Sequence, residues 1–241
     1  MAGEVISLSQ EPNRNANRVQ VHGISPNTPP QRIRKLLSNY GPLNYLCVHD
    51  YGDRQWAIAQ FFSRIDFEQC LYQLAGFILD GRRIIVVKSA PRELQEAEEK
   101  PKPLSITKLT LLLNRFLGVA GWSNEILELR RLTTCTKALY PDARLEESSH
   151  TAAYSARVSI RFVCGATSHD VVGEGQAAAA ERGLSDALSR AQKLAVSNAI
   201  LDAAAQMVIV RLDSERAMVC NIEPLDDGAK ESVSCAGRVV D

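Results

Sequence analysis

Side chains of two kinds alternate along residues 54–61, and this pattern constrains the fold more than any other feature of the chain. Ala57, Ala59 and Phe61 occupy odd-numbered positions, whereas Trp56 occupies an even-numbered one. Successive side chains of a strand point to opposite faces of a sheet, so the small and apolar set is expected to pack on a core. The alternation therefore predicts a sheet that helices cover on one face, with a tryptophan on the other.

The flanking residues predict a βαββαβ order for a first module at residues 17–90. Strands are predicted around Val19–Val21, Leu43–Val48, Arg54–Phe62 and Ile84–Val87, and helices around Ile33–Tyr40 and Phe67–Leu74. The segment Thr28-Pro29-Pro30-Gln31 has the form of a capping box with proline at the first helical position. Parity places a second set of side chains on the open face of the sheet: Gln20, His22, Tyr45, Cys47, His49, Arg54, Trp56, Ile58 and Gln60.

Three segments of this module resemble RNA-recognition-motif (RRM) domains, which have the ferredoxin-like fold. Residues 54–61 resemble the eight-residue signature of the third RRM strand, residues 19–24 the six-residue signature of the first, and residues 79–84 the run into the fourth. The resemblance implies that Arg54 contacts phosphate and that Trp56 stacks on a base. The predicted nucleic-acid-binding residues of this face are Gln20, His22, Tyr45, Arg54, Trp56 and Ile58. An alternative is that Trp56, Ile58, Ile85 and Val87 form an apolar patch that docks a protein.

The distribution of charge fits a modest affinity for nucleic acid. The whole chain has a formal net charge of zero, but residues 18–90 hold nine Lys and Arg against five Asp and Glu. Residues 104–225 hold thirteen of each kind. Because phosphate binding is electrostatic, we expect binding that weakens strongly as salt is raised.

A second α+β module is predicted at residues 104–225, after a charged linker at 91–103 and before a flexible tail at 226–241. Its predicted elements are a helix capped by Ser105, a strand around Ile126–Leu132, a loop at 140–150, an alternating strand at Tyr154–Phe162, a short strand at Asp170–Gly173 that Gly173 and Gly175 interrupt, a helix from about Ala177 to Met207, and a strand at Ala217–Ile222. Leu184, Leu188, Leu194 and Leu201, with alanines between them, are expected to form the packing side of the long helix. Arg157 and Arg161 have the opposite parity to the apolar residues of the alternating strand, so we expect them on its exposed face.

The second module resembles the DNA-annealing core of the Rad52 recombination mediators. The resemblance rests on Gly118-x-x-Gly121-Trp122, the alternating strand, residues 170–175 and residues 190–196. It implies that Arg182, Arg190 and Lys193 lie where a basic cluster holds single-stranded DNA in those proteins. On a continuous helix, Arg182 and Lys193 would share one face. An RRM joined to such a core implies a protein that binds single-stranded DNA and RNA in the DNA-damage response. The resemblance also implies a nuclear location, with the cytoplasm as an additional possibility, and the ability to form homo-oligomers.

The remaining motifs favour binding over catalysis. The sequence contains no Walker loop, nucleophile elbow or His-Glu-x-x-His segment, and its six cysteines include no Cys-x-x-Cys pair. We therefore expect no enzyme activity, no metal and no cofactor. No run approaches 18 apolar residues, so we expect a soluble protein without a membrane partner. Two alternatives remain open, a protein-interaction adaptor that uses the RRM face, and an RNA-processing factor whose second module dimerises.

Overall fold

The computed structural model describes residues 3–13, 16–52, 54–89, 103–138, 148–164, 167–211 and 217–221. The chain divides into two units. Unit 1 comprises the described residues up to Pro103 together with those of Ile209–Ala217, and unit 2 comprises Leu104–Val208 with the described residues of Met218–Arg238. The predicted linker, apart from Pro103, and the predicted tail lie outside the described residues.

Unit 1 has the βαββαβ order that the sequence predicts, and the ferredoxin-like fold is confirmed. Its elements are β1 (Glu4–Ser7), β2 (Arg18–Ile24), α1 (Pro30–Ser38), β3 (Leu43–Asp50), β4 (Gln55–Phe61), α2 (Arg64–Gln73), β5 (Ile78–Leu79), β6 (Arg82–Arg83) and β7 (Ile85–Lys88). The main sheet is antiparallel with the order β3-β4-β2-β7. One face of this sheet forms the core with the two helices, where Ala57, Ala59 and Phe61 are fully buried.

The two helices of unit 1 begin differently. A proline is the first residue of α1, as predicted, but it is Pro30, one position later than the capping box requires. The capping box is wrong, because the N-cap is Pro29 and no side chain caps the helix. The Thr28 hydroxyl instead donates a 2.7 Å hydrogen bond to the Asp80 carboxylate. The Ser63 hydroxyl caps α2 and accepts from the backbone N–H groups of residues 65 and 66.

Two segments outside the predicted first module complete unit 1, one before it and one more than 100 residues after it. β1 is hydrogen-bonded to β11 (Met207–Arg211), of which residues 209–211 belong to unit 1. The last described strand is β12 (Ala217–Asn221), of which residues 218–221 belong to unit 2. The Glu4 carboxylate accepts a 2.6 Å hydrogen bond from the Ser63 hydroxyl. Arg211 donates to an Asp66 carboxylate oxygen at 2.6 Å and to the Ser63 hydroxyl at 2.7 Å. The N-terminus of α2 therefore contacts side chains from both segments.

Unit 2 is built on three long strands. Its elements before β11 are α3 (Ile106–Leu117), β8 (Trp122–Ala138), β9 (Ser148–Cys164), β10 (Thr167–Glu181) and α4 (Leu184–Ala205). The strands form an antiparallel sheet with the order β10-β9-β8. Ser105 caps α3, as predicted. Residues 148–150 of the predicted loop belong to β9, so that prediction is wrong for them, and residues 140–147 lie outside the described part.

The glycines of β10 do not interrupt the strand, and α4 begins later than predicted. β10 pairs with β9 throughout residues 167–181, so the predicted helical start at Ala177 is wrong. A Cβ at Gly175 would lie 2.2 Å from the backbone nitrogen of Ala199 in α4, and one at Gly173 would lie 2.2 Å from the Ala199 carbonyl oxygen. The glycines therefore permit a close approach of helix and strand, which explains their presence inside a strand.

The buried face of α4 is a stripe of alanines rather than leucines. Its fully buried residues include Ala187, Ala191, Ala195, Ala199 and Ala203, which recur every four residues. Leu184 and Leu194, which were predicted to pack, are 44% and 40% exposed. Small residues are required because the helix lies close to the sheet, and a leucine on this face would not fit. No helix in the described residues is both long and apolar enough to cross a membrane.

Candidate nucleic-acid interface

The face of the unit 1 sheet that the helices leave uncovered is called the open face here. It carries side chains from all four strands: Gln20, His22, Tyr45, Cys47, His49, Trp56, Ile58, Ile85 and Val87. Strand register places Gln20 opposite Ile58 and His49 opposite Trp56. The predicted residues of this face therefore do come together, and Arg54 lies just before β4, exposed at one end of it.

Three aromatic rings form a stack at the centre of this face. The ring centroids of His49 and Trp56 are 4.3 Å apart with an interplanar angle of 15°. His22 lies on the other side of Trp56, with a centroid distance of 5.9 Å and an angle of 13°. The sequence placed all three rings on one face but did not predict their stacking. Such a stack offers unpaired bases an aromatic surface with polar ring nitrogens at its ends.

The other predicted residues of the open face are held by contacts within it. The Gln20 amide donates to the Ser89 hydroxyl at 3.1 Å, and its carbonyl oxygen lies 3.3 Å from His22 Nε2. Tyr45 is 48% exposed. A hydrogen bond with Cys47 and, to a smaller extent, burial raise the pKa of the Tyr45 hydroxyl. Tyr45 thus stays neutral and presents an exposed ring, whereas Ile58 is half-buried between neighbouring strands.

Gln60 was expected to be exposed on the open face, and that expectation is wrong. Its side chain is only 4% exposed, and its amide donates to the carbonyl oxygens of Asn13 at 2.6 Å and Ala16 at 2.9 Å. The segment before β2 therefore covers this end of the sheet. The accessible part of the open face extends from Tyr45 toward Trp56 and His22.

A groove of about 500 Å³ lies at the opposite end of the open face. His22, Trp56 and Gln55 line it together with three arginines, Arg54, Arg82 and Arg83. Sequence reasoning did not select Arg82 and Arg83, because residues 79–84 were interpreted only as a turn into the last strand. Their adjacency to a predicted aromatic face was the signal that could have identified them.

On the sheet of unit 2, the two predicted arginines are ion-paired across strands. Arg157 lies 3.1 Å from the Glu174 carboxylate, and Arg161 donates to both carboxylate oxygens of Asp170, at 2.8 and 3.2 Å. The Arg161 guanidinium lowers the pKa of the Asp170 carboxyl. Both arginines point away from α4, as predicted, but each positive charge has a carboxylate beside it.

The three predicted residues near α4 lie elsewhere. Arg190 is ion-paired with Glu181, and both line a cleft of about 390 Å³ with Asp186, Ser189 and Lys193. Arg182 lies in the turn before α4 and not on the helix, so the prediction that Arg182 and Lys193 share a helix face is wrong. The continuation of β10 to Glu181 is the reason.

The sheet of unit 2 separates its predicted residues into two groups. The β9 residues that face α4, such as Tyr154 and Val158, are buried in one cluster with the α4 alanines. Arg157 and Arg161 lie on the opposite, outer face of that sheet. The five predicted residues of this module therefore do not form one continuous basic surface.

Comparison with known proteins identifies the family of the chain. Residues 88–210, just over half of the 241 residues, match the family described as Rad52/22 family double-strand break repair protein. The chain belongs to the Rad52/22 family. The predicted resemblance of the second module is thus confirmed, and the matched region includes α3, the three long strands and α4 of unit 2. Comparison with curated proteins gave no match.

Solved RRM structures resemble the remaining part of this Rad52/22-family chain. They include the Pes4 RRM3 structure, with 18% identity and a TM-score of 0.31 over 33% of this chain and 98% of that one. The structure of the Rna15 RRM with bound RNA (GU) shows 20% identity and a TM-score of 0.30, over 33% and 88% of the two chains. The Sex-lethal RNA recognition domains 1 and 2 from Drosophila melanogaster show 22% identity and a TM-score of 0.29, over 31% and 50%.

Proposed function

We propose that this Rad52/22-family protein binds single-stranded DNA and RNA without catalysis, as a nuclear component of recombinational repair and the DNA-damage response. The observation that carries the proposal is the aromatic stack of His22, Trp56 and His49 on an open sheet face beside an arginine-lined groove. Membership of a family of double-strand break repair proteins supports the repair role.

The geometry allows stacking and phosphate contacts at the same face. An unpaired base that contacts the rings would contribute about 1–3 kcal/mol, and the arginines would contact the flanking phosphates. Ile58 and Gln20 are not aromatic and offer no further stacking surface, so the affinity of unit 1 alone would be modest. The paired arginines of unit 2 would contribute only where phosphates displace their carboxylate partners.

Fluorescence anisotropy with labelled single-stranded DNA and RNA across a salt series tests the proposal. Trp56→Ala should weaken binding about 5- to 150-fold, which corresponds to one lost stacking contact. Tyr72→Ala is the matched control, because Tyr72 is 83% exposed on α2, on the helical side of unit 1. Binding that is absent, or that neither salt nor Trp56→Ala changes, would contradict the proposal.

A protein partner on the open face is the second candidate. Ile85 and Val87 are 59% and 39% exposed at the edge strand β7, next to half-buried Ile58. Such a patch suits an apolar partner. This candidate predicts that Ile85→Asp abolishes capture of that partner while oligonucleotide binding stays absent in the wild type.

We also propose that the chain self-associates through unit 2. β8 and β10 are the outer strands of the described three-stranded sheet, and β8 exposes Ile126 and Leu129 at 49% and 40%. Edge strands with apolar side chains favour pairing with another copy. Light scattering should give a mass above that of the 26.5 kDa monomer, and Ile126→Lys should lower it.

A further inference from the structure

The two arginines at the groove, Arg82 and Arg83, are presented by a tight hairpin. Leu79 pairs with Arg82, and the two residues between them, Asp80 and Gly81, have φ angles of 50° and 79°. Positive φ at both central residues is what a type I′ hairpin turn requires, and Asp-Gly is a preferred sequence for it. The local sequence therefore fixes the hairpin and the positions of both arginines.

Thr28, which precedes α1, and Arg32, which lies within α1, contact Asp80 at the tip of this hairpin. The Asp80 carboxylate accepts a 2.7 Å hydrogen bond from the Thr28 hydroxyl and lies 2.9 Å from the Arg32 guanidinium. The acidic residue next to the two arginines is thus already engaged by another cation. Within the described part of the chain, Arg82 and Arg83 have no ion-pair or side-chain hydrogen-bond partner.

A bulge in β2 opens the space that the arginines border. The pairing of β2 with β4 shifts between Val21 and Ile24, where Gly23 has a φ of 77°. A Cβ at Gly23 would lie 2.7 Å from the carbonyl oxygen of Arg83, so only glycine lets the hairpin approach β2 this closely. The groove is therefore a consequence of the backbone and does not depend on flexible side chains alone.

The floor of the groove contains a buried polar group that lacks a partner. Gln55 is 7% exposed, and its amide donates to the Pro26 carbonyl oxygen at 2.9 Å. Its side-chain carbonyl oxygen is buried without a hydrogen-bond donor among the described residues. Buried acceptors are nearly always satisfied in folded proteins, so this oxygen is an unusual feature beneath the groove.

We propose that this groove is a binding site for one nucleotide of a single strand, with its base against Trp56 and His22 and its phosphate on Arg82 and Arg83. The inference rests on the proposed function and adds the position of the phosphate. No acidic residue is found among the described residues that line the groove, whereas the cleft beside α4 contains two. The volume of about 500 Å³ lies within the range of small-ligand sites.

The decisive variant is Arg82→Ala with Arg83→Ala, and its matched control is Arg34→Ala with Lys35→Ala. The control removes the same charge from exposed positions on α1, on the covered side of the sheet. Each lost phosphate contact lowers the slope of log K against log salt by about 0.7 for single strands. Because both arginines contact the same phosphate, the groove variant should lower the slope by about 0.7 and weaken oligonucleotide binding about 5-fold at 0.1 M salt, while the control leaves both nearly unchanged.

A titration with adenosine monophosphate and with inorganic phosphate distinguishes a nucleotide in a strand from a free one. In a Trp122→Phe background Trp56 is the only tryptophan, so its fluorescence reports on the groove. Saturable quenching by the mononucleotide, lost in the groove variant, would assign the site to single nucleotides as well. Quenching by oligonucleotides alone would assign it to a nucleotide within a strand.

Different results would overturn the inference and the proposed function. If oligonucleotides bind and Trp56→Ala weakens that binding, but the groove variant binds them like the control, then the proposed phosphate site is wrong. The open face would then retain its proposed role. If the wild type binds no oligonucleotide at low salt, both are wrong. Circular dichroism of the groove variant verifies that this exposed double change leaves the fold intact.

Discussion

Removal of either partner of the Asp66–Arg211 pair should strongly destabilise unit 1. The two side chains are 1% and 3% exposed, and their charged atoms are 2.6 Å apart. Because both are nearly excluded from solvent, removal of one side chain takes a close opposite charge from the other, and water cannot replace that charge. Breaking one partner of such a buried pair costs about 3–5 kcal/mol. Asp66→Asn and Arg211→Met should each lower the free energy of unfolding by that amount.

A double-mutant cycle measures this loss and separates it from a change in packing. Urea unfolding is followed by Trp56 fluorescence in a Trp122→Phe background, in which Trp56 reports on unit 1. At a slope of about 2 kcal/mol per molar urea, each single change should lower the midpoint by roughly 1.5–2.5 M. The double variant should be little worse than either single variant, since it leaves no unpaired buried charge.

The exposed pair of Arg64 and Glu68 is the control. It has a similar separation of 2.8 Å, but its side chains are 74% and 45% exposed. Arg64→Met should therefore cost no more than about 0.5 kcal/mol, as for other exposed helix pairs. Losses below 1 kcal/mol for both buried variants, or strictly additive losses in the double variant, would refute the reasoning.

Three further predictions concern other features of the chain. Asp170→Asn should increase the affinity for single-stranded DNA at pH 7 if Arg161 can contact phosphate. Arg161 lowers the pKa of the Asp170 carboxyl, so the ion pair persists at pH values above the ordinary pKa of 3.8 and is lost only as the pH falls through the lowered pKa. The DNA affinities of the variant and the wild type should therefore converge in acid. Burial raises the pKa of the Cys70 thiol to about 12, so Cys70 should resist alkylation at pH 8 in the folded protein while half-buried Cys47 reacts, as peptide mass spectrometry would show. Gly175→Ala should lower the free energy of unfolding by at least about 1–3 kcal/mol in urea titrations, because the added carbon overlaps the α4 backbone, and an unchanged midpoint would contradict the close approach.

Alternation was sufficient to predict most of unit 1. Each strand of its sheet has one buried face, so the parity of Val19, Ala57 and Phe61 determines which side chains reach the core. The same parity placed Trp56 and His49 together, although the stacking of their rings depends on cross-strand register that the sequence does not state. The RRM signatures then drew attention to the open face of this sheet.

Residues 177–181 were wrongly predicted to be helical, because their intrinsic preference favours a helix whereas their tertiary contacts require a strand. An alanine-rich stretch favours helix, yet these residues pair with β9 along their whole length. Small side chains are needed in β10 because α4 lies directly against it, and this need appears only when both elements are in place. Arg182 and Lys193 were assigned to one face of a helix for the same reason.

The groove and the buried ion pair depend on contacts between distant residues. Arg83 approaches β2 because of the bulge at Gly23, and Arg211 reaches Asp66 across 145 positions of sequence. Neither the bulge nor the long-range pair has a local signature. Residues 3–13 and 209–211 were therefore not assigned to the first module.

The contact of Arg211 with Asp66 has a practical consequence for studies of the RRM as an isolated fragment. A polypeptide cut after Pro103 would keep every strand of the main sheet but would leave the Asp66 carboxylate enclosed without its guanidinium. Such a fragment would gain from Asp66→Leu, a change that harms the intact protein. Unit 1 is therefore completed by a residue that follows the long helix of unit 2 in the sequence.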